Sequence, residues 1–162
     1  MSPRPAKIRI AVDGRPLTAR RSGIGRYVYE LCRELNSEMA DVEFIVFSRS
    51  DVELPLRNPR WKCVVDRSPI WAKLPGAAWL EWRLPRLLKE HRCDVFWANT
   101  GSAPQTLHGA GLVLTVHDFN VIIAPETMPW PTYIAHRLFL RRDIQRADAS
   151  VVNSSGTADR LK

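Results

Sequence analysis

Lys7 to Asp13 (KIRIAVD) alternates, with Ile8, Ile10 and Val12 on one side, and predicts a strand that ends on a carboxylate. Beyond the loop GRPLTARRS the period changes: Ile24, Tyr27, Val28, Leu31 and Leu35 lie three or four residues apart, on one face of a helix. Glu43 to Ser48 (EFIVFS) is a near-continuous apolar run of strand length, and Trp61 to Asp66 (WKCVVD) is a weaker strand. Ala77 to His91 reads as a helix with Leu80, Leu84, Leu87 and Leu88 inward, and Pro85 within it predicts a kink or a broken start. Asp94 to Ala98 (DVFWA) and Leu112 to His117 (LVLTVH) are apolar almost throughout, as strands covered on both faces of a parallel sheet are. Tyr133 to Arg146 is a further helix after the proline-flanked entry PWP, and Ala149 to Asn153 (ASVVN) is a sixth strand. Ser154-Ser155-Gly156-Thr157 then has the composition of a helix cap.

Strand and helix alternate from end to end, which predicts an α/β fold with a doubly wound parallel sheet. The 162 residues, 45% hydrophobic and 25% charged, suit one domain with a sizeable core. The chain stops at Leu161-Lys162, about two turns into a helix, so the expectation is a piece cut from a longer protein. No apolar run approaches the ~18 residues that span a bilayer, and the basic start MSPRPAKIRIAVDG is too short and interrupted for a signal peptide. A cytoplasmic location is expected. Cys32, Cys63 and Cys93 are odd in number, widely spaced and without a CxxC, which predicts reduced, mostly buried thiols and neither a disulfide framework nor a zinc site. The net charge of +7 favours phosphate-bearing partners without choosing among them.

Gly23-Ile24-Gly25 follows a strand and opens a helix. Glycine lets a ligand approach the backbone, and a helix N-terminus offers free N–H groups and partial positive charge. Arg20, Arg21 and Arg26 add cations. The pattern is neither GxGxxG nor a Walker loop, so a plain tight turn remains open beside a phosphate-approach loop. His117-Asp118 closes the fifth strand, and ligands in open parallel sheets bind outside the carboxyl ends of strands. His117 there can bond a hydroxyl or phosphate and move a proton near neutral pH, or simply cap its strand. Asp13, Asn99, Thr100 and Ser154 occupy comparable strand ends. The segment IWAKLPGAAWLEWRLPRLLKEHR mixes tryptophan with cations, and Trp79, Trp82, Arg83, Arg86 and Lys89 have the make-up of an interfacial membrane contact. The competing reading is a solvated face with packed tryptophans. No nucleic-acid motif is present, and His91, His108 and His136 have no ligand spacing, so neither nucleic acid nor a metal is expected.

Taken together, IAVDGRPL with SGIGRYVYELCREL, then LTVHDFNVIIAPE, then RLFLRRDIQRADASVVNSSGTADRL resemble the N-terminal half of a GT-B glycosyltransferase of the retaining family 4. The resemblance spans Lys7 to Leu161. It implies a Rossmann-like domain, residues 1–162, that carries the acceptor side of a cleft. A second, C-terminal domain absent from this sequence would hold most of the nucleotide-sugar donor. Gly23, Ile24 and Gly25 would approach the donor diphosphate, and the family histidine matching His117 would lie beside the transferred sugar. Asp118, Asn99, Thr100, Ser154, Asp13 and Arg26 are candidates for the cleft or the acceptor. No metal or other cofactor is implied. The opening motifs are similar to bacterial mannosyl- or related hexosyltransferases acting on lipid-linked or polysaccharide acceptors. The piece alone is expected to be inactive and the enzyme peripheral to the inner face of the cytoplasmic membrane. The rivals are a GT-B sugar-nucleotide epimerase or phosphorylase-like half, and a non-enzymatic module that binds an anionic partner or membrane.

Overall fold

The structure, a computed structural model, describes residues 7–18, 22–54, 56–117 and 130–161. In chain order the elements are β1 (Arg9–Asp13), α1 (Gly23–Glu38), β2 (Glu43–Ser48), β3 (Trp61–Val65), α2 (Pro69–Lys73), α3 (Gly76–Ala78), a π-helical turn (Trp79–Arg83), α4 (Leu84–Glu90), β4 (Val95–Ala98), β5 (Gly111–Val116), α5 (Trp130–Arg146), β6 (Ala149–Val152) and α6 (Ser155–Leu161). The strands form one parallel sheet in the order β3-β2-β1-β4-β5-β6. The expected doubly wound, Rossmann-like sheet is therefore present.

Neighbouring residues on the strands point to opposite faces, and the two cores divide accordingly. Val12, Phe44, Val46, Trp61 and Trp97 meet Val28 and Cys32 of α1 on one face. Ala11, Ile45, Phe47, Phe96, Leu112 and Leu114 pack on the other against Trp79, Leu80, Leu84, Leu87, Leu88 and Leu140. The long apolar runs of β2, β4 and β5 follow from that cover, because both of their faces are buried. β6, at the sheet edge, is mostly exposed.

The leucine face of the fourth helical segment holds: Leu80, Leu84, Leu87 and Leu88 are all buried. The disturbance expected at Pro85 occurs just before it, as the π turn, in which the Leu84 N–H reaches back to the Trp79 carbonyl. A proline without an N–H cannot fill the carbonyl one turn earlier, and a wider turn accommodates that loss. The short helix α2 was not foreseen. The thiols depart from expectation in one respect: all three are free, but Cys63 is exposed and Cys93 half-buried, leaving Cys32 fully buried. Cys63 belongs to β3, an edge strand of which only Trp61 is buried.

Candidate functional site

Crossovers from β1 toward β2 and from β3 toward β4 cover opposite faces of the sheet, so the chain parts at the carboxyl ends of β1 and β4. Such a switch point is where open α/β sheets leave a crevice. Gly14 begins its floor. A Cβ there would lie 2.7 Å from Val46 Cγ1 and 2.8 Å from the Phe47 carbonyl oxygen. The Gly14 N–H donates to that same oxygen at 2.8 Å, carrying the β1–β2 ladder one residue further.

Asp13 is fully buried and is clasped from above by Arg15. Arg15 Nη2 donates to Asp13 Oδ2 at 2.7 Å and Nε to Oδ1 at 2.9 Å, while the Arg15 backbone N–H donates to Oδ1 at 3.1 Å. Thr100 at the end of β4 joins the clasp, with Oγ1 donating to Asp13 Oδ2 and accepting from Arg15 Nη2, both at 3.1 Å. Burial works against the Arg15 charge, yet the Asp13 carboxylate outweighs it and raises the guanidinium further above its ordinary value. Asn99, also fully buried, donates through Nδ2 to the Asp13 carbonyl at 2.8 Å and thereby ties β4 to β1. Its Oδ1 is buried without a hydrogen-bond partner among the described residues.

His117 stands at the end of β5, half-buried. Its Nε2 lies 2.8 Å from the Asn99 carbonyl oxygen, which can only accept, so the proton sits on Nε2. The lone pair on Nδ1 then faces the Asn153 amide at 3.3 Å. Tyr27 meets the His117 ring edge-on, with centroids 5.3 Å apart and an 87° interplanar angle. That contact joins the β5 end to the first turn of α1. There Ser22 acts as N-cap: its Oγ accepts from the Gly25 N–H at 3.2 Å and its carbonyl from the Arg26 N–H at 2.9 Å. The N–H groups of Gly23 and Ile24 have no partner among the described residues, and both residues are exposed. A Cβ on Gly23 would meet nothing within 4 Å, and its backbone is helical, so neither packing nor conformation demands a glycine. Gly25, by contrast, is buried. The result is an open, amide-lined helix N-terminus one turn from a histidine of fixed tautomer, which can meet an anion and a hydroxyl side by side.

The sequence-predicted residues divide into those at this edge and those placed elsewhere. Gly23, Ile24, Gly25, Arg26 and His117 share one corner, and Thr100 and Ser154 end neighbouring strands. Asp13 and Asn99 are at the edge but wholly inward, so they build it and do not offer a surface to an acceptor. Ser154 caps α6, its Oγ accepting from the Thr157 N–H at 3.2 Å. Asp118, Arg20 and Arg21 lie outside the described residues. The membrane set needs correction. Trp79 is fully buried, its Nε1 donating to Asp66 at 3.1 Å, and Arg83 pairs with the same carboxylate at 3.0 Å. Trp79 therefore cannot meet a membrane and Arg83 is half-buried in its ion pair, whereas Trp82, Arg86 and Lys89 are exposed. Arg15, Tyr27 and Asn153 were missed. Asn153 ends β6 and was open to the strand-end argument that selected Ser154; nothing in the sequence alone pairs Tyr27 with His117.

Among the described residues, no group of three or more His, Cys, Asp or Glu side chains is placed to hold a metal ion. No helix among them is long and apolar enough to cross a membrane. The family model for Glycosyltransferase Family 4 matches residues 21–162. Among curated proteins, none matches the chain.

Proposed function

Because the chain belongs to glycosyltransferase family 4, we propose that it forms the acceptor-side domain of a retaining hexosyltransferase and that its corner of Gly23, Ile24 and His117 meets the sugar and diphosphate of a nucleoside-diphosphate hexose. The observation that carries this reading is the junction itself: an open α1 N-terminus held one turn from His117 by the Tyr27 ring contact. The free N–H groups and the helix dipole suit a diphosphate. His117 Nδ1, held among the described residues by an exposed amide at 3.3 Å, exchanges Asn153 for a sugar hydroxyl at little cost.

In the reaction, the bond from the anomeric carbon to the diphosphate oxygen breaks while that carbon bonds the acceptor oxygen on the same face. The acceptor proton passes to the departing phosphate. The fixed groups at the α1 N-terminus stabilise charge on the leaving group, and His117 orients the sugar as its ring flattens toward an oxocarbenium ion. No metal takes part in this scheme. A mannose-like hexose, a lipid-linked or saccharide acceptor, donor binding mainly by a facing domain, and inactivity of this chain alone complete the reading. The place of action is the inner face of the cytoplasmic membrane.

The test is acceptor-dependent release of nucleoside diphosphate by the intact enzyme that carries this domain, with the anomeric configuration of the product read by NMR. Release only with acceptor, and retained configuration, is expected. Interconversion of the nucleotide sugar without acceptor would replace transfer with epimerisation, and an inverted product would discard the retaining mechanism.

A further inference from the structure

The face of the sheet opposite α1 carries an outward surface that the site does not use. The helical run through the π turn into α4 and the helix α5 bury their inner sides in one core cluster, through Leu84, Leu87 and Leu88 and through Leu140. Their outer sides therefore look out from the same face. On α5, Trp130, Ile134 and Leu138 follow at four-residue steps and are 70%, 38% and 64% exposed. Arg137 and Arg141, also exposed, interleave with them. The carboxylate of α5, Asp143, is fully buried and takes Arg142 and Arg146 with it, so it neutralises none of that outer face. On the neighbouring run, Trp82 is 62% exposed, with Arg86 one turn and Lys89 two turns further on.

Large apolar side chains interleaved with cations, spread over two adjacent helices, match a broad negatively charged surface with an apolar interior. Arginine and lysine stems lie along apolar ground while their charged ends reach outward. We propose that this face docks on an anionic lipid surface. β5 and β6 are parallel, so α5 returns against the strands and Trp130 begins it at the edge where the strands end. Docking thus brings that edge to the lipid headgroups. The inference rests on the reading that the acceptor is lipid-linked. The ligand edge lies at the strand ends, to the side of the helical face, so a domain facing that edge leaves the helical face free.

The experiment is co-sedimentation of the chain with vesicles of phosphatidylcholine, with and without about one-third phosphatidylglycerol. Binding is expected only with the anionic lipid and is expected to weaken with salt. Ile134→Ser with Leu138→Ser, and separately Arg137→Glu with Arg141→Glu, should each weaken it by roughly tenfold or more. Arg33→Glu with Arg57→Glu makes the same change of charge on the α1 side and should leave binding within about threefold. Unfolding curves confirm that each variant is folded. Equal loss in the α1-side pair, or no loss in either test pair, overturns the proposal. So does self-association that depends on Ile134 and Leu138 without vesicle binding, which would make the face a protein interface. Transfer to a detergent-solubilised acceptor is measured separately: if it persists while vesicle binding fails, the docking surface falls and the transferase reading stands.

Discussion

Gly14 and Gly23 bracket the loop between β1 and α1, and the same substitution should act on them in opposite ways. At Gly14 an added methyl carbon would sit 2.7 Å from Val46 Cγ1, 2.8 Å from the Phe47 carbonyl oxygen and 3.2 Å from Ser48 Cβ. The carbonyl belongs to β2, which is paired on both sides and cannot retreat. Overpacking of this kind costs about 1–3 kcal/mol, which for a chain of this size lowers Tm by roughly 2–4 °C per kcal/mol. Gly14→Ala should therefore melt several degrees lower. At Gly23 the methyl meets nothing within 4 Å and the backbone is already helical. Replacing glycine by alanine in a helix gains up to ~1 kcal/mol, so Gly23→Ala should melt at or slightly above the wild type. In the intact enzyme the same change should cut transfer by roughly tenfold or more, because the methyl occupies the approach to the open N–H groups. Thermal unfolding and acceptor-dependent release of nucleoside diphosphate read the two effects. A Gly23→Ala enzyme that keeps full activity would refute the argument that the bare backbone serves a ligand. A Gly14→Ala protein as stable as the wild type would refute the packing argument. A bulky residue at the buried Gly25 would disturb the helix itself and separates nothing.

Asp66 accepts hydrogen bonds from the Ser68 N–H, Trp79 Nε1 and Arg83, and although burial pushes its carboxyl up, these partners hold it below the ordinary value. A depressed folded-state pKa contributes stability above the unfolded carboxylate range that is lost as pH falls through the folded pKa. Asp66→Asn should lower Tm at neutral pH by an amount that shrinks on acidification, and a constant difference would contradict this. Asp143 is fully buried; it accepts from Arg142 at 2.9 Å, Arg146 at 3.1 Å and the Ala103 N–H at 3.0 Å. Asp143→Ala should cost about 3–5 kcal/mol in denaturant unfolding, and a loss below about 1 kcal/mol would sink that account. Burial pushes the Cys32 thiol up to about 12 and Cys93 up to about 11, so iodoacetamide should modify the exposed Cys63 first, as peptide mass spectrometry can read. Early modification of Cys32 would contradict the packing of α1.

The elements were legible where one period governed them. β2 was bounded to the residue, because both of its faces are covered and its ends are polar. Val28 and Leu31 marked the inward stripe of α1. The misreading of Trp79 has a definite cause. At regular helical spacing Trp79, Trp82 and Arg86 share a stripe, but the π turn adds a residue and rotates Trp79 out of line with the other two into the core, where Asp66 takes its N–H. The strand-end rule found His117, Asn99 and Thr100 without showing which side chains look outward. The inward turn of Asp13 depends on Arg15, and the tautomer of His117 on a carbonyl eighteen residues away. The second is a contact between strands that no local pattern encodes, and the first, though only two residues apart, depends on the fold that buries Asp13.

The central claim, that His117 serves the transferred sugar, is tested most directly by the acceptor-dependent rate of the intact enzyme with His117→Ala. Asn153→Ala serves as a partner variant that frees Nδ1 and leaves the imidazole in place. The account predicts that the histidine variant stays folded and loses about 1–3 kcal/mol of transition-state stabilisation, roughly ten- to a hundredfold in kcat/KM. The asparagine variant should remain within a few-fold of the wild type. A His117→Ala enzyme that transfers at the wild-type rate would contradict it.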